Sequence, residues 1–155
     1  MVPIKEAVNS GAWLHCEKRD NLFKVNQFRL KILSFKKIDL KDIDEPEKIE
    51  DFDGTGDLWL MKIEIINLNK EPTSIFDNIR KLKLIDNDSF QFPKFNDSHL
   101  ELSSDFGKTS SLNRFFHCDL MPKIKAIGSI SFLLPDDEDA EYFIAFDDDG
   151  IVQEV

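Results

Sequence analysis

Leu58-Trp59-Leu60-Met61-Lys62-Ile63-Glu64-Ile65-Ile66-Asn67 carries the most regular pattern in the chain. Trp59, Met61, Ile63 and Ile65 fall on one face of an extended segment, and Lys62 and Glu64 fall on the other. Successive side chains of a strand point to opposite faces, so a period of two over this length predicts a half-buried β-strand. Such a strand organises an all-β domain and removes most enzyme architectures from consideration.

The neighbouring segments fit that reading. Phe28, Leu30 and Ile32 alternate with Arg29 and Lys31, and then Leu33 and Phe35 continue on the other parity. A parity change inside one strand predicts a bulge or bend. Leu82 and Leu84 alternate with Lys81 and Lys83, and Asp86-Asn87-Asp88-Ser89 turns the chain into Phe90-Gln91-Phe92, a hairpin pattern. Ile127 to Leu134 reads as a strand ending at Pro135, followed by an acidic turn and Tyr142 to Phe146. Asp147-Asp148-Asp149-Gly150 then turns into a short last strand, Ile151 to Val155. Residues 103–118 admit two readings: one short helix opened by the serines at Ser110-Ser111, or a loop tucking Phe115 or Phe116 into the core. Short strands separated by turns, without the long helices that parallel sheets need, predict an antiparallel β-sandwich of about seven strands.

The 155 residues suit one domain, enough to bury about 68–70% of the unfolded surface. Within it, residues 1–22 read as an N-terminal extension or first strand, and 39–57 as a long acidic loop. Hydrophobic residues make up 41% of the chain and 14 are Phe, a globular composition.

A net charge of −10 argues against direct nucleic-acid binding, because phosphate backbones attract Lys and Arg stripes. The charge is unevenly spread. Residues 18–41 hold eight bases against two acids, whereas residues 136–155 hold nine acids and no base. Either these segments lie together and partly neutralise, or the acidic end faces a basic partner. Met1 to Cys16 shows no secretory core and nowhere is there a run of membrane-spanning length. The chain therefore reads as soluble, without membrane insertion, and cytoplasmic; the alternative is an exported form whose signal has been removed. Cys16 and Cys118 pair only in an oxidising compartment, and two buried free thiols are the simpler reading.

At three places the sequence resembles small bacterial immunoglobulin-like domains of unknown function, of the type found in lipoproteins and small secreted antigens. Leu60-Met61-Lys62-Ile63-Glu64-Ile65-Ile66-Asn67 with Pro72 is similar to their strand, Asn and polar turn. Leu82-Lys83-Leu84-Ile85-Asp86-Asn87-Asp88-Ser89-Phe90 is similar to the next block, a strand ending in an Asp-containing turn before an aromatic strand. Met121-Pro122-Lys123 with Gly128-Ser129-Ile130-Ser131-Phe132-Leu133-Leu134-Pro135 resembles the third, except that Lys123 stands where a Gly usually falls. The resemblance spans roughly residues 25–146 and implies an immunoglobulin-like β-sandwich with no established activity.

Three constellations invite chemistry. Asp51-Phe52-Asp53-Gly54-Thr55 matches the first motif of haloacid-dehalogenase-type phosphatases, in which one Asp attacks phosphorus and the next serves as acid and base beside Mg²⁺. That chemistry needs a buried parallel strand before the motif and a helix after it; here a charged segment precedes and an amphipathic strand follows. The alternate acids Asp51, Asp53 and Asp57 are weak calcium candidates, with Lys62 where an EF-hand needs its bidentate Glu. Asp147-Asp148-Asp149 is a poorer one. His15-Cys16 and His117-Cys118 offer zinc-type donors without the usual spacer, and adjacent residues on a strand face opposite ways. With His99 the remaining histidine, no nucleophile–base–acid triad emerges, so no catalytic residue and no cofactor is expected. The leading expectation is a non-catalytic module that binds another protein through a sheet edge or face. A small acidic inhibitor or decoy engaging a basic, nucleic-acid-binding site is the alternative.

Overall fold

Two antiparallel sheets face each other across a shared apolar layer in the computed structural model, which describes residues 1–19, 24–44, 56–95, 101–102 and 119–155. The chain begins with β1 (Val2–Pro3), α1 (Ile4–Ser10), β2 (Trp13–Arg19) and β3 (Val25–Ile38). A 3-10 turn at Leu40–Asp42 and β4 (Ile43–Asp44) precede β5 (Asp57–Asn67), β6 (Thr73–Ser74), α2 (Ile75–Ile79), β7 (Leu82–Asp86) and β8 (Gln91–Pro93). There follow β9 (Glu101–Leu102), β10 (Asp119–Leu120), β11 (Lys125–Leu134), β12 (Tyr142–Phe146) and β13 (Ile151–Glu154). One layer has the order β11-β5-β3-β2-β13 and the other β1-β12-β7-β8; β4 pairs with β9, and β6 with β10. The all-β, antiparallel sandwich expected from the sequence is therefore the fold. Seven strands of four or more residues dominate it, with β1 and β8 as short additions to the smaller sheet.

Strand β5 lies inside the larger sheet between β3 and β11, as its apolar alternation demands. Met61, Ile63 and Ile65 share its inner face with Leu30 and Ile32 on one side and with Ile130 and Phe132 on the other. All of these are buried. From the smaller sheet, Leu82, Leu84, Ile144 and Phe146 close the layer, and Phe146 meets Phe28 edge-on at 5.0 Å. Each large apolar side chain withdrawn from water here contributes roughly 1.5–3 kcal/mol. At its N-terminal end β5 departs from simple alternation: Leu58 and Leu60 are buried on the opposite face, in register with Ile38 across β3 at Leu58. Trp59, expected deep in the interior, is only half-buried.

The parity change in β3 is a bulge. The register with β5 slips between Ile32 and Ser34, leaving Leu33 as the extra residue, 37% exposed. The slip returns Phe35 to the inner face opposite Met61. The hairpin of β7 and β8 is equally clear. Asp86 accepts hydrogen bonds from the amides of Asp88 and Phe90 (both 2.9 Å), which fixes the turn. Asn67 is the buried end of β5. Its amide donates to the carbonyls of Glu71 (2.9 Å) and Leu120 (2.8 Å), tying two loops to the sheet. Lys123 takes φ 63, and its amide donates to Asn67 O at 2.8 Å.

Of residues 1–22, expected as an extension or first strand, the described residues 1–19 form β1, α1 and β2. Ile4, Ala7 and Val8 follow helical spacing, with Ile4 and Ala7 buried, and Gly11 at φ 62 stops the helix. In the expected 39–57 loop, the described residues contain the 3-10 turn, β4 and the start of β5. The alternatives for 103–118 lie outside the described residues.

Candidate functional site

Among the sequence candidates, Asp51 and Asp53 lie outside the described residues, as do His99, His117 and Cys118. Asp57 opens β5 and faces a lysine: its Oδ1 lies 3.2 Å from Lys37 Nζ, so the carboxylate already has a cation. The segment following the phosphatase-like motif is the antiparallel strand β5, where that chemistry calls for a helix. His15 and Cys16 sit on opposite faces of β2: Cys16 is a free thiol buried in the core, and His15 points outward beside Glu17 at 3.7 Å. Burial pushes the Cys16 thiol far above its ordinary pKa, which keeps it protonated and unreactive. Among the described residues, no three His, Cys, Asp or Glu side chains converge as metal ligands would.

The acidic C-terminal segment divides in two. In the Asp147–Asp149 turn, Lys18 hydrogen-bonds Asp147 and reaches Asp149 at 3.4 Å, and Lys83 binds Asp148 at 2.8 Å. The hydrogen bond from Lys18 holds the Asp147 carboxyl below the usual carboxylate range. These ammonium groups stand where a calcium ion would have to sit. For this turn, neutralisation occurs, through Lys18 of the basic segment and through Lys83 outside it. Asp136, Asp137, Glu138, Asp139 and Glu141 instead remain exposed.

Two surfaces stand out beyond those candidates. The first is the β11 edge. Among the described residues β11 pairs with β5 alone, and on its other side the Phe95 amide donates to Ser131 O at 2.8 Å. Because backbone groups alternate direction along an antiparallel strand, Lys125, Ile127 and Ser129 direct their N–H and C=O groups the same way as Ser131, outward. Ile127 (59% exposed), Ile124 (55%) and Met121 (51%) add apolar surface beside them. The outer face of the same sheet is basic. Register places Arg29, Lys31, Lys36, Lys62 and Lys125 on it, against Glu17 and Glu64. Trp13 lies there too, with Lys31 Nζ 4.7 Å and Lys125 Nζ 5.5 Å from its ring centre.

The second surface is a groove of about 560 Å³ where α1 meets the ends of both sheets. Trp59 and Phe35 stack in it at 4.8 Å and 27°, and Tyr142 forms another part of its lining. The Tyr142 hydroxyl is buried and has no hydrogen-bond partner among the described residues. Burial and then the nearby carboxylates of Asp86, Asp137 and Asp57 raise its pKa.

With both layers and their edges in place, the architecture can be compared with solved ones. It resembles MPT63. This secreted protein from Mycobacterium tuberculosis superposes with a TM-score of 0.55 over 91% of this chain and 92% of its own, at 8% sequence identity. The likeness to MPT63 is one of fold, and at that identity it carries no activity with it. No protein-family model matches the chain, and neither does any curated protein sequence. Among the described residues no helix is long and apolar enough to cross a membrane.

Sequence reasoning missed both surfaces. Ile127 looks like any other strand residue until its strand proves to be an edge. Tyr142 left one signal: it is the chain's one Tyr beside 14 Phe, and a hydroxyl in an apolar run asks for a partner.

Proposed function

We propose that this protein is a non-catalytic binding module, with an immunoglobulin-like sandwich, that takes up an extended, acidic segment of another protein along the β11 edge. The observation that carries the reading is the outward-facing backbone of Lys125, Ile127 and Ser129 beside exposed Ile124 and Ile127. A strand edge of this kind offers main-chain hydrogen bonds for affinity and side-chain contacts for register. The basic face carrying Arg29, Lys31, Lys62 and Lys125 supplies the charge preference, because a neighbouring acidic strand would be steered toward it. The secreted character of MPT63 supports the exported alternative for this chain over a cytoplasmic one.

The acidic decoy reading draws less support. Its strongest feature was the run of acids after residue 135, and three of those carboxylates are engaged by Lys18 and Lys83.

The test uses backbone chemistry. At Ile127 the N–H points away from β5, so Ile127→Pro removes an edge donor without removing a sheet hydrogen bond. Ile127→Thr keeps the donor and the β-branch. Affinity capture from the native cell extract is expected to recover a protein with the wild type and Ile127→Thr, and to lose it with Ile127→Pro. Equal recovery by all three would overturn edge pairing. Affinity that collapses between about 50 and 200 mM salt while surviving Ile127→Pro would return the decoy reading to the front.

A further inference from the structure

We propose that the groove between α1 and the sheet ends is a binding site for a small organic cation, an ammonium group carried on an apolar body. Its volume, about 560 Å³, falls within the range of small-molecule sites, and its lining is mainly apolar. Trp59 and Phe35 stack against each other in the lining, each covering one face of its neighbour and leaving the other face of the pair, and Tyr142 adds a third ring. The faces of such rings are the negative part of their quadrupoles, and they attract a cation stripped of some of its water.

The charged lining points the same way. Lys37 is committed to Asp57, and Lys5 is the other base in the lining. Against them stand Asp136, Asp137, Glu138 and Glu141, all exposed and, among the described residues, without an ion-pair partner. The lining as a whole therefore carries more negative than positive charge, and an anionic ligand would be repelled. A neutral ligand would gain nothing from the carboxylates. The raised pKa of Tyr142 comes first from burial; the carboxylates of Asp86, Asp137 and Asp57 add to it by disfavouring a negative charge on that hydroxyl.

The site is separate from the β11 edge, so the two readings stand or fall independently. Benzyltrimethylammonium is the test probe, with benzyl alcohol as neutral control and benzoate as anionic control, titrated into ¹⁵N-labelled full-length protein. The cation is expected to bind about tenfold or more tightly than the alcohol, with shifts centred on the Trp59 indole and the Tyr142 amide, and benzoate to show no binding. Combined Asp136→Asn, Asp137→Asn and Glu138→Gln should weaken the cation by about tenfold and leave benzyl alcohol unaffected. Trp59→Leu should weaken the cation while keeping the dispersed spectrum of a folded chain. Equal affinity for cation and alcohol, shifts centred elsewhere, or no shift at millimolar probe would overturn the proposal.

Discussion

Two stretches of carboxylates, Asp136 to Glu141 and Asp147 to Asp149, are separated in sequence by one strand and look interchangeable in composition. Folded, they do opposite things. The second is a tight turn from one sheet to the other, clamped by Lys18 from β2 and Lys83 from β7, and its backbone is held by the Asp147 amide donating to Lys81 O at 2.8 Å. The first carries no such clamp among the described residues and lines the rim of the aromatic groove. Acidity alone therefore says little. What distinguishes structural from available charge is whether a lysine from another strand arrives at the same place.

The contrast is broken most severely at Gly150. A Cβ added there would stand 2.1 Å from Phe146 O and 2.9 Å from the Phe146 ring, and the offending carbonyl belongs to backbone that cannot step aside. Gly150→Ala should cost about 3 kcal/mol, the upper end for overpacking, read as a lowered midpoint in urea unfolding. The matching Ala140→Gly change in the rim segment should cost well under half of that, because it adds no atom and no lysine clamps the turn there. A mild effect at Gly150 would mean that the turn is no more constrained than the rim.

A smaller effect, with a distinctive pH signature, is expected from Asp147→Asn. Residue 147 adopts φ 54, a conformation that Asn tolerates as well as Asp, so the backbone stays and the charge goes. The folded-state pKa of Asp147 is lowered, chiefly by the hydrogen bond from Lys18. Its stabilisation is therefore present above the unfolded Asp pKa, near 4, and is lost as pH falls through the lower folded value. Lys18 is shifted upward by the same bond, so its share persists to alkaline pH and is lost only as pH rises through its raised pKa. The gap in melting temperature between wild type and Asp147→Asn should hold steady from about pH 5 to 9 and close in acid. A gap that stays open at low pH would show that the charge pair is not its source.

How far the sequence speaks depends on how local the evidence is. The inner face of β5, the slip at Leu33 and the Asp86 turn are all legible, because each is written in residues a few positions apart. The burial of Leu58 and Leu60 on the second face of β5 is not, since it depends on what covers that end of the sheet. Helix α1 was missed because seven residues give barely two turns of periodicity. The groove was out of reach for a deeper reason: Ile4 to Asn9, Phe35, Trp59 and Tyr142 converge there from four separate segments. The β11 edge has the same character, for an exposed Ile127 and a buried Ile130 look alike until sheet order is known.

The smallest expected effect is also the one that most sharpens the comparison. Replacing Asp136, Asp137 and Glu138 by Asn, Asn and Gln removes three of the nine acids in the final twenty residues, yet each is exposed and without a clamping lysine. Substitutions of that kind usually stay within about ±0.5 kcal/mol each. A slight gain in stability is the more reasonable sign, because relieving repulsion among neighbouring carboxylates in a chain of net charge −10 favours the compact state. Thermal melts at low and at about 0.15 M salt would check this, and the gain should shrink as salt screens the repulsion. If the triple variant instead melted well below the wild type, the rim acids would be structural after all, and the division between clamped and available charge would fail at its weaker half.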